Sequence, residues 1–261
     1  MNNKKFEMMT YECQIGMYFS GIEKLENGFV VYSTIVEDEH WNFFAGFNAK
    51  TIDEFEKAYA EAKKFLNSIN RKPCFVVSPN AEISAVVAEY IASKYTKFSI
   101  DTTMLTSNFA SKKIPDDYTF KMIDNNAEKE MFINTFKTSK SQTRAGDTYA
   151  ALPEYYFSAL EKSFEGEKDW KYMHFLSLYK GEPVGMVSVV AKGEHAGLYG
   201  GGTYLAHRGK GVFSGLLSFV ENELKKTGVK YFFGITEKDS YNERLYNSLG
   251  WETKFVKEYY K

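Results

Sequence analysis

The sequence predicts a mixed α/β protein, and three observations lead there. Strand-like and helix-like stretches alternate along the whole chain. The same order of elements runs twice. Late in the chain, a glycine-rich strand turns through further glycines into a strongly amphipathic helix. The 261 residues have room for one large domain or two small ones.

The first run of elements begins with Gly28 to Ile35 and Trp41 to Phe47, a strand pair rich in β-branched and aromatic residues. Thr51-Ile52-Asp53-Glu54 has the form of a capping box, and Phe55, Tyr59, Ala62 and Leu66 follow on one helical face. A short strand at Cys74 to Val77 ends before Pro79. Ile83, Val86, Val87, Tyr90 and Ile91 then predict a second helix, and Phe98 to Leu105 a closing strand. The order is strand, strand, helix, strand, helix, strand.

The second run repeats it. Tyr172 to Tyr179 and Val184 to Ala191 pair across Lys180-Gly181-Glu182-Pro183, and Gly197 to Leu205 adds a third strand. A helix from Gly211 to Lys226 stops at Gly228. Lys230 to Ile235 is a strand, Ser240 to Leu249 a helix, and Trp251 to Tyr260 a strand. Ahead of this copy lie a strand near Tyr118 to Ile123 and helices near Ala127 to Lys137 and Pro153 to Phe164. The polar, proline-containing stretch from Ala110 to Asp117 reads as a linker. The expected domains are therefore 1–112 and 116–261.

Arg208-Gly209-Lys210-Gly211-Val212-Phe213 is the stretch that carries chemistry. Behind it Phe213, Leu216, Leu217, Val220 and Leu224 share one helical face. A strand that turns through glycines into a helix presents unpaired N–H groups at a positive dipole end, which suits a phosphate. Two familiar phosphate loops fail on spacing. A Walker loop needs glycine where Tyr204 stands and Ser or Thr where Gly211 stands. The dinucleotide fingerprint needs a third glycine where Ser214 stands, and it belongs in an opening βαβ unit.

Composition excludes several classes. Lys plus Arg number 33 against 34 Asp plus Glu, a net charge of -1, which gives no support for binding nucleic-acid phosphates or an acidic membrane. No run approaches the roughly 20 apolar residues of a membrane span. The N-terminal residues have no apolar stretch of the secretory kind. Cys13 and Cys74 make neither a disulfide framework nor a metal pattern, and His40, His174, His195 and His207 are scattered, so no metal is expected. The expected location is a reducing cytoplasm. Aromatic content of 17% is high, so the chain can bury ample apolar area.

The C-terminal part resembles the GNAT N-acetyltransferases. Arg208-Gly209-Lys210-Gly211-Val212-Phe213 stands against the family's acyl-CoA pattern Q/R-x-x-G-x-G/A, with an amphipathic helix behind it. Asn242-Glu243-Arg244-Leu245-Tyr246-Asn247-Ser248-Leu249-Gly250-Trp251 is close to the family's closing helix with its Leu-Tyr-x-x-Leu-Gly-aromatic ending. The resemblance covers roughly Pro115 to Lys261 in element order. Phe213 departs from the pattern's Gly or Ala, and Asp239 stands where many relatives have Asn.

The resemblance implies a tandem GNAT fold with a degenerate N-terminal copy, acetyl-CoA as acyl donor, and an acceptor that is a primary amine of a small molecule or peptide. It places the pantetheine arm along Gly201, Gly202 and Thr203, and the pyrophosphate on Arg208, Gly209, Lys210, Gly211, Val212, Phe213 and Ser214, with Asn242 as a further contact. Amides near Thr203 and Tyr204 are candidates for the developing oxyanion. Tyr246 is the candidate proton donor to the departing thiolate. Glu194 and Glu237 are considered as base, and none is assigned. Asp147, Tyr149, Tyr155 and Tyr156 lie where relatives shape the acceptor pocket. Each has a plainer reading: a tight turn for the glycines, packing for the tyrosines, a surface position for His207. Phe47 to Glu54 has no glycine at the matching turn, so the first copy is read as lacking the cofactor site and replacing the partner subunit of a dimer within a monomeric chain. The competing class is a non-catalytic acyl-CoA sensor. Aminoacyl transfer from tRNA is a third, and the neutral net charge gives it little support.

Overall fold

The computed structural model describes residues 2–109, 116–142, 152–165 and 169–261. The chain begins with α1 (Asn3–Glu12), β1 (Gly21–Lys24), β2 (Phe29–Tyr32), β3 (Phe43–Ala45) and β4 (Asn48–Ala49). Next come α2 (Ile52–Ser68), β5 (Phe75–Val77), β6 (Glu82–Ile83), α3 (Ala85–Lys94) and β7 (Lys97–Thr106). The remainder supplies β8 (Tyr118–Met122), α4 (Asn126–Ser141), α5 (Glu154–Ser163), β9 (Lys171–Tyr179), β10 (Glu182–Lys192) and β11 (His195–Thr203). It ends with α6 (Val212–Lys225), β12 (Tyr231–Glu237), α7 (Tyr241–Ser248) and β13 (Glu252–Tyr260). The expected mixed α/β class is what forms. Compactness divides the chain into one unit of residues 1–104, 235–243 and 253–261 and another of 105–234 and 244–252.

In the first unit β1, β2 and β3 form an antiparallel meander, with Lys24 opposite Phe29 and Val30 opposite Phe44. The chain then crosses through α2 to β5, which lies parallel to β3 at Phe44 and Phe75. A parallel pair needs such a crossover. The next neighbour of β5 is the last strand of the chain: β13 runs antiparallel to it, with Glu258 opposite Val77 and Tyr260 opposite Phe75. The predicted face of α2 is buried, with Phe55, Tyr59, Ala62 and Leu66 joined by Ala58. Much of the aromatic content sits here, around Phe44, Phe47, Phe55, Phe75 and Tyr260.

Two details of this unit differ from the sequence expectation. Ile83 belongs to β6, opposite Ala49, and Ser84 caps α3, so the helix starts later and Val86 points outward at 58% exposure. The helix α1 has no counterpart in the sequence expectation. Its buried face is Phe6, Glu7, Thr10 and Tyr11, half of it polar, so no apolar stripe announces it. Glu7 is tolerated inside because its carboxylate accepts from the Tyr11 hydroxyl at 2.5 Å and the Asn80 side-chain amide at 2.6 Å.

In the second unit β8, β9, β10 and β11 are antiparallel in that order, and β12 joins β11 in parallel after the α6 crossover. Val212, Leu216, Leu217, Val220 and Leu224 are the buried face of α6. Val212 thus takes the place expected for Phe213, which is only half-buried. His174 on β9 is a core residue. Its ring nitrogens lie 3.0 Å from the Ser188 hydroxyl and 3.4 Å from that of Ser163, and burial pushes its pKa down to about 3. No helix among the described residues is long and apolar enough to cross a membrane.

Candidate functional site

The glycines of β11 produce a bulge. Ser188 of β10 faces Tyr199, and Met186 faces Gly202, so three steps along β11 oppose two along β10. Gly200 takes up the irregularity at φ +61°. On its other side β11 pairs with β12 only at His195–Tyr231, Ala196–Phe232 and Gly197–Phe233. From Leu198 onward the register with β12 ends, and an unpaired strand edge of this kind suits an added extended ligand. Gly201 and Gly202 are close-approach positions. A Cβ on Gly201 would come within 2.7 Å of the Phe213 ring, and one on Gly202 within 2.6 Å of the Ser139 hydroxyl.

After Thr203 the chain makes one 3-10 turn, Leu205–His207, and enters α6 through Arg208 to Gly211. Gly209 has φ +78°, and Gly211, at φ +79°, is the N-cap residue with no side-chain cap. The first helical bond runs from the Gly215 amide to the Gly211 carbonyl. The amides of Val212, Phe213 and Ser214 therefore end the helix without a capping side chain, at its positive dipole end. Val212 anchors this turn among Tyr118 and Val184. Ser214 is buried, Lys210 exposed, and none of the described residues lies within 4 Å of where a Cβ on Gly209 would stand. The turn is open on one side and fixed on the other.

Arg208 does something its motif does not announce. Its guanidinium donates to the Thr203 carbonyl at 2.8 Å, the Gln142 carbonyl at 2.7 Å and the Ser139 carbonyl at 3.2 Å. It ties the last turn of α4 to the end of β11. The Leu205 amide donates to the Gln142 side chain at 2.7 Å, and the Lys140 ammonium to the Gly201 carbonyl at 2.9 Å. Ser139, Lys140 and Gln142 are thus site residues that sequence reasoning missed, because a short polar run at a helix end carries no motif. The cation that remains exposed at the turn is Lys210.

The Tyr204 amide donates to the Val184 carbonyl at 2.8 Å, which removes it from the candidate oxyanion donors. Glu194 lies at the opposite end of β11, about 30 Å of strand away from Thr203, and its carboxylate is paired with Lys230. The Lys230 partner lowers its pKa, so it makes a poor base near the turn. Glu237 ends β12 and is exposed. His207 is held by the Tyr118 hydroxyl at 2.8 Å and packs on Tyr179, a structural role. Asp147 and Tyr149 lie outside the described residues. Tyr155 and Tyr156 are half-buried on α5, rings 5.0 Å apart.

Tyr246 sits in α7 with its ring 4.8 Å from that of Trp251. Trp251 in turn stands over Gly234 of β12, where a Cβ would lie 3.4 Å from the indole. Tyr246 is therefore fixed on the strand that diverges from β11. No hydrogen bond to its hydroxyl forms among the described residues, and burial raises its pKa to about 12. Asn242 lies in the first turn of α7. Asp239, at φ +60°, occupies a left-handed position that Asp and Asn tolerate equally, and its amide donates to Glu243.

Residues 136–251 match the acetyltransferase (GNAT) family. Three solved structures resemble most of the chain. A GCN5-related N-acetyltransferase from Kribbella flavida has a TM-score of 0.65 at 15% identity, over 97% of this chain and 93% of that one. A conserved protein of unknown function from Staphylococcus epidermidis has a TM-score of 0.65 at 12% identity, over 95% and 96%. A tandem GNAT protein from the clavulanic acid biosynthesis pathway has a TM-score of 0.58 at 12% identity, over 90% and 78%. A search of curated proteins finds no match. The fold is the GNAT fold, and residues 136–251 are similar to the GNAT acetyltransferase family.

Proposed function

We propose that this protein is an N-acetyltransferase that moves an acetyl group from acetyl-CoA to a primary amine of a small molecule or peptide by direct attack. One observation carries the reading. An uncapped helix N-terminus at Gly211 lies directly after a bulged strand that has lost its neighbour from Leu198 onward. The first suits a pyrophosphate and the second an extended amide-bearing arm, and acyl-CoA has both in one molecule.

In this reading the backbone of Gly201, Gly202 and Thr203 holds the arm, and the turn from Gly209 to Ser214 holds the pyrophosphate, with Lys210 adding charge and Asn242 a further contact. Arg208 positions β11 against α4. Bound acetyl-CoA supplies the activated acyl group. With a pKa of about 12, Tyr246 keeps its proton at neutral pH and offers it as a hydrogen bond to the departing sulfur. No carboxylate is assigned as base.

The first half, residues 1–112 in our reading, is a GNAT-like domain without a cofactor loop that stands in for a partner subunit, and residues 116–261 are the catalytic domain. Cutting the chain at the linker would leave β13 without its neighbour β5, so both halves belong in any assay. The chain is proposed to work as a cytoplasmic monomer. Thiol release from acetyl-CoA across an amine panel tests the function. We expect turnover for at least one amine, and Tyr246→Phe to lower kcat roughly 10- to 100-fold with little change in acetyl-CoA affinity. Tight binding with no turnover for any amine would instead identify a sensor.

A further inference from the structure

We propose that Lys140 is an internal acyl acceptor, its ε-amine taking the acyl group from a thioester bound along the bulged segment of β11. The inference rests on the acyl-CoA reading above. Lys140 lies in the last turn of α4, and its Nζ donates to the carbonyl of Gly201 at 2.9 Å. That carbonyl belongs to the stretch where β11 makes its bulge and has left β12. Ser139, its neighbour in sequence, packs on Gly202, so the helix end lies against the strand with no room for intervening side chains. Gly201 and Gly202 are small for this approach.

The surroundings favour a neutral amine. Among the described residues no carboxylate pairs with Lys140. The nearby cation is Arg208, which three carbonyls hold in place. On α4 itself, Lys137 is directed to Glu154 of α5, 3.9 Å away. The strands beneath contribute no charge, since Met186 to Ala191 and Gly197 to Thr203 contain Tyr199 as their one titratable side chain. The Phe136 ring lies 5.6 Å from Nζ. Burial, with Arg208 second, pushes the Lys140 pKa down to about 8. At pH 7 roughly a tenth of such amines are neutral, some 200-fold more than for a surface lysine with an ordinary pKa near 10.4. Only the neutral form can attack.

The step balances without any other reactant. The nitrogen lone pair attacks the thioester carbonyl carbon, a C–N bond forms, and the C–S bond breaks. The sulfur leaves with its bonding pair and takes up the proton that the nitrogen sheds, giving an amide and a free thiol. Charge is lost at Lys140, and one N–H remains.

The test incubates the full chain with acetyl-CoA and no amine, then maps acetylated lysines by peptide mass spectrometry while calorimetry measures acetyl-CoA binding separately. Lys140 is expected to be acetylated at least tenfold faster than the half-exposed Lys137, with a rate that rises with pH through about 8 and is suppressed by excess free CoA. Lys140→Arg keeps a cation beside Gly201 and should lose this fast label. Binding of acetyl-CoA with Lys140 unmodified, or labelled no faster than Lys137, or labelled equally with excess CoA present, overturns the proposal and leaves the acetyl-CoA reading intact. Absence of acetyl-CoA binding overturns both.

Discussion

The turn before α2 and the turn before α6 each carry the chain from a strand into the helix that crosses to a parallel partner, β3 to β5 in one case and β11 to β12 in the other. They differ in what closes the helix end. At α2 the Thr51 hydroxyl accepts from the Glu54 amide at 3.2 Å, and the Glu54 carboxylate accepts from the amides of Lys50 at 2.6 Å and Thr51 at 3.1 Å. At α6 the matching N-cap is Gly211, with Ser214 in place of Glu54, and among the described residues no side chain caps the helix. One helix carries its own anion at the positive dipole end, and the other leaves that place open for an anion from outside. Nearly identical backbone plans thus reach opposite chemistry through two side chains.

The strongest way to break this comparison is to give the open turn the charge of the closed one. Phe213 holds the same helical position as Asp53, and Phe213→Asp puts a carboxylate beside the free amides. We expect acetyl-CoA affinity measured by calorimetry to fall about 100-fold, the equivalent of roughly 2.7 kcal/mol, through like-charge repulsion at the helix end. The ring's contact with Gly201 is lost as well, so a circular dichroism melt should accompany the titration to show that the variant is folded. An affinity within threefold of the unaltered protein would place the pyrophosphate elsewhere.

Much of this contrast is legible in the sequence. The capping box at Thr51 to Glu54 and the glycines at 209 and 211 are local signals, and local signals survive folding. The residues at the far side of the site were illegible for the opposite reason. Ser139, Lys140 and Gln142 matter because the last turn of α4 lands on the β11 bulge, a contact some 60 residues away in sequence that no spacing rule encodes. The charge and motif of Arg208 suit a phosphate, and its three carbonyl partners depend on where α4 ends. Phe213 matched the apolar period of α6 yet turned outward from the core to cover Gly201, because Val212 already fills the core position at that turn. The helix α1 escaped notice since its buried face includes Glu7 and Thr10, whose partners come from elsewhere in the chain or from the helix itself.

A milder change probes the closed turn. Thr51→Ala removes one half of the capping box and should cost about 1 kcal/mol of stability, seen as a Tm lower by roughly 2–4 °C for a chain of this size. Acetyl-CoA affinity should stay the same, because nothing in our reading places the cofactor near α2. A parallel loss of affinity would show that the first unit takes part in binding, and the contrast between the two turns would then be one of degree.

The smallest effect separates the two turns by pH. Hydrogen bonds from the Lys50 and Thr51 amides hold the Glu54 carboxyl below the usual glutamate range. Its folded pKa lies under its unfolded one, so its stabilising contribution is fully present above the ordinary glutamate value and is lost as pH falls through the lowered folded value. The group is exposed, which keeps the effect on overall stability slight. It should still be visible locally: the amide resonances of Lys50 and Thr51 should move together through one acid transition, below pH 4.5, and Glu54→Gln should abolish that transition. Among the described residues the amides of Val212 and Phe213 have no such carboxylate, and they should show no matching step in the absence of acetyl-CoA. If they titrate alongside Lys50 and Thr51, an acidic side chain reaches α6 in solution, and its N-terminus is closed by the protein's own charge after all.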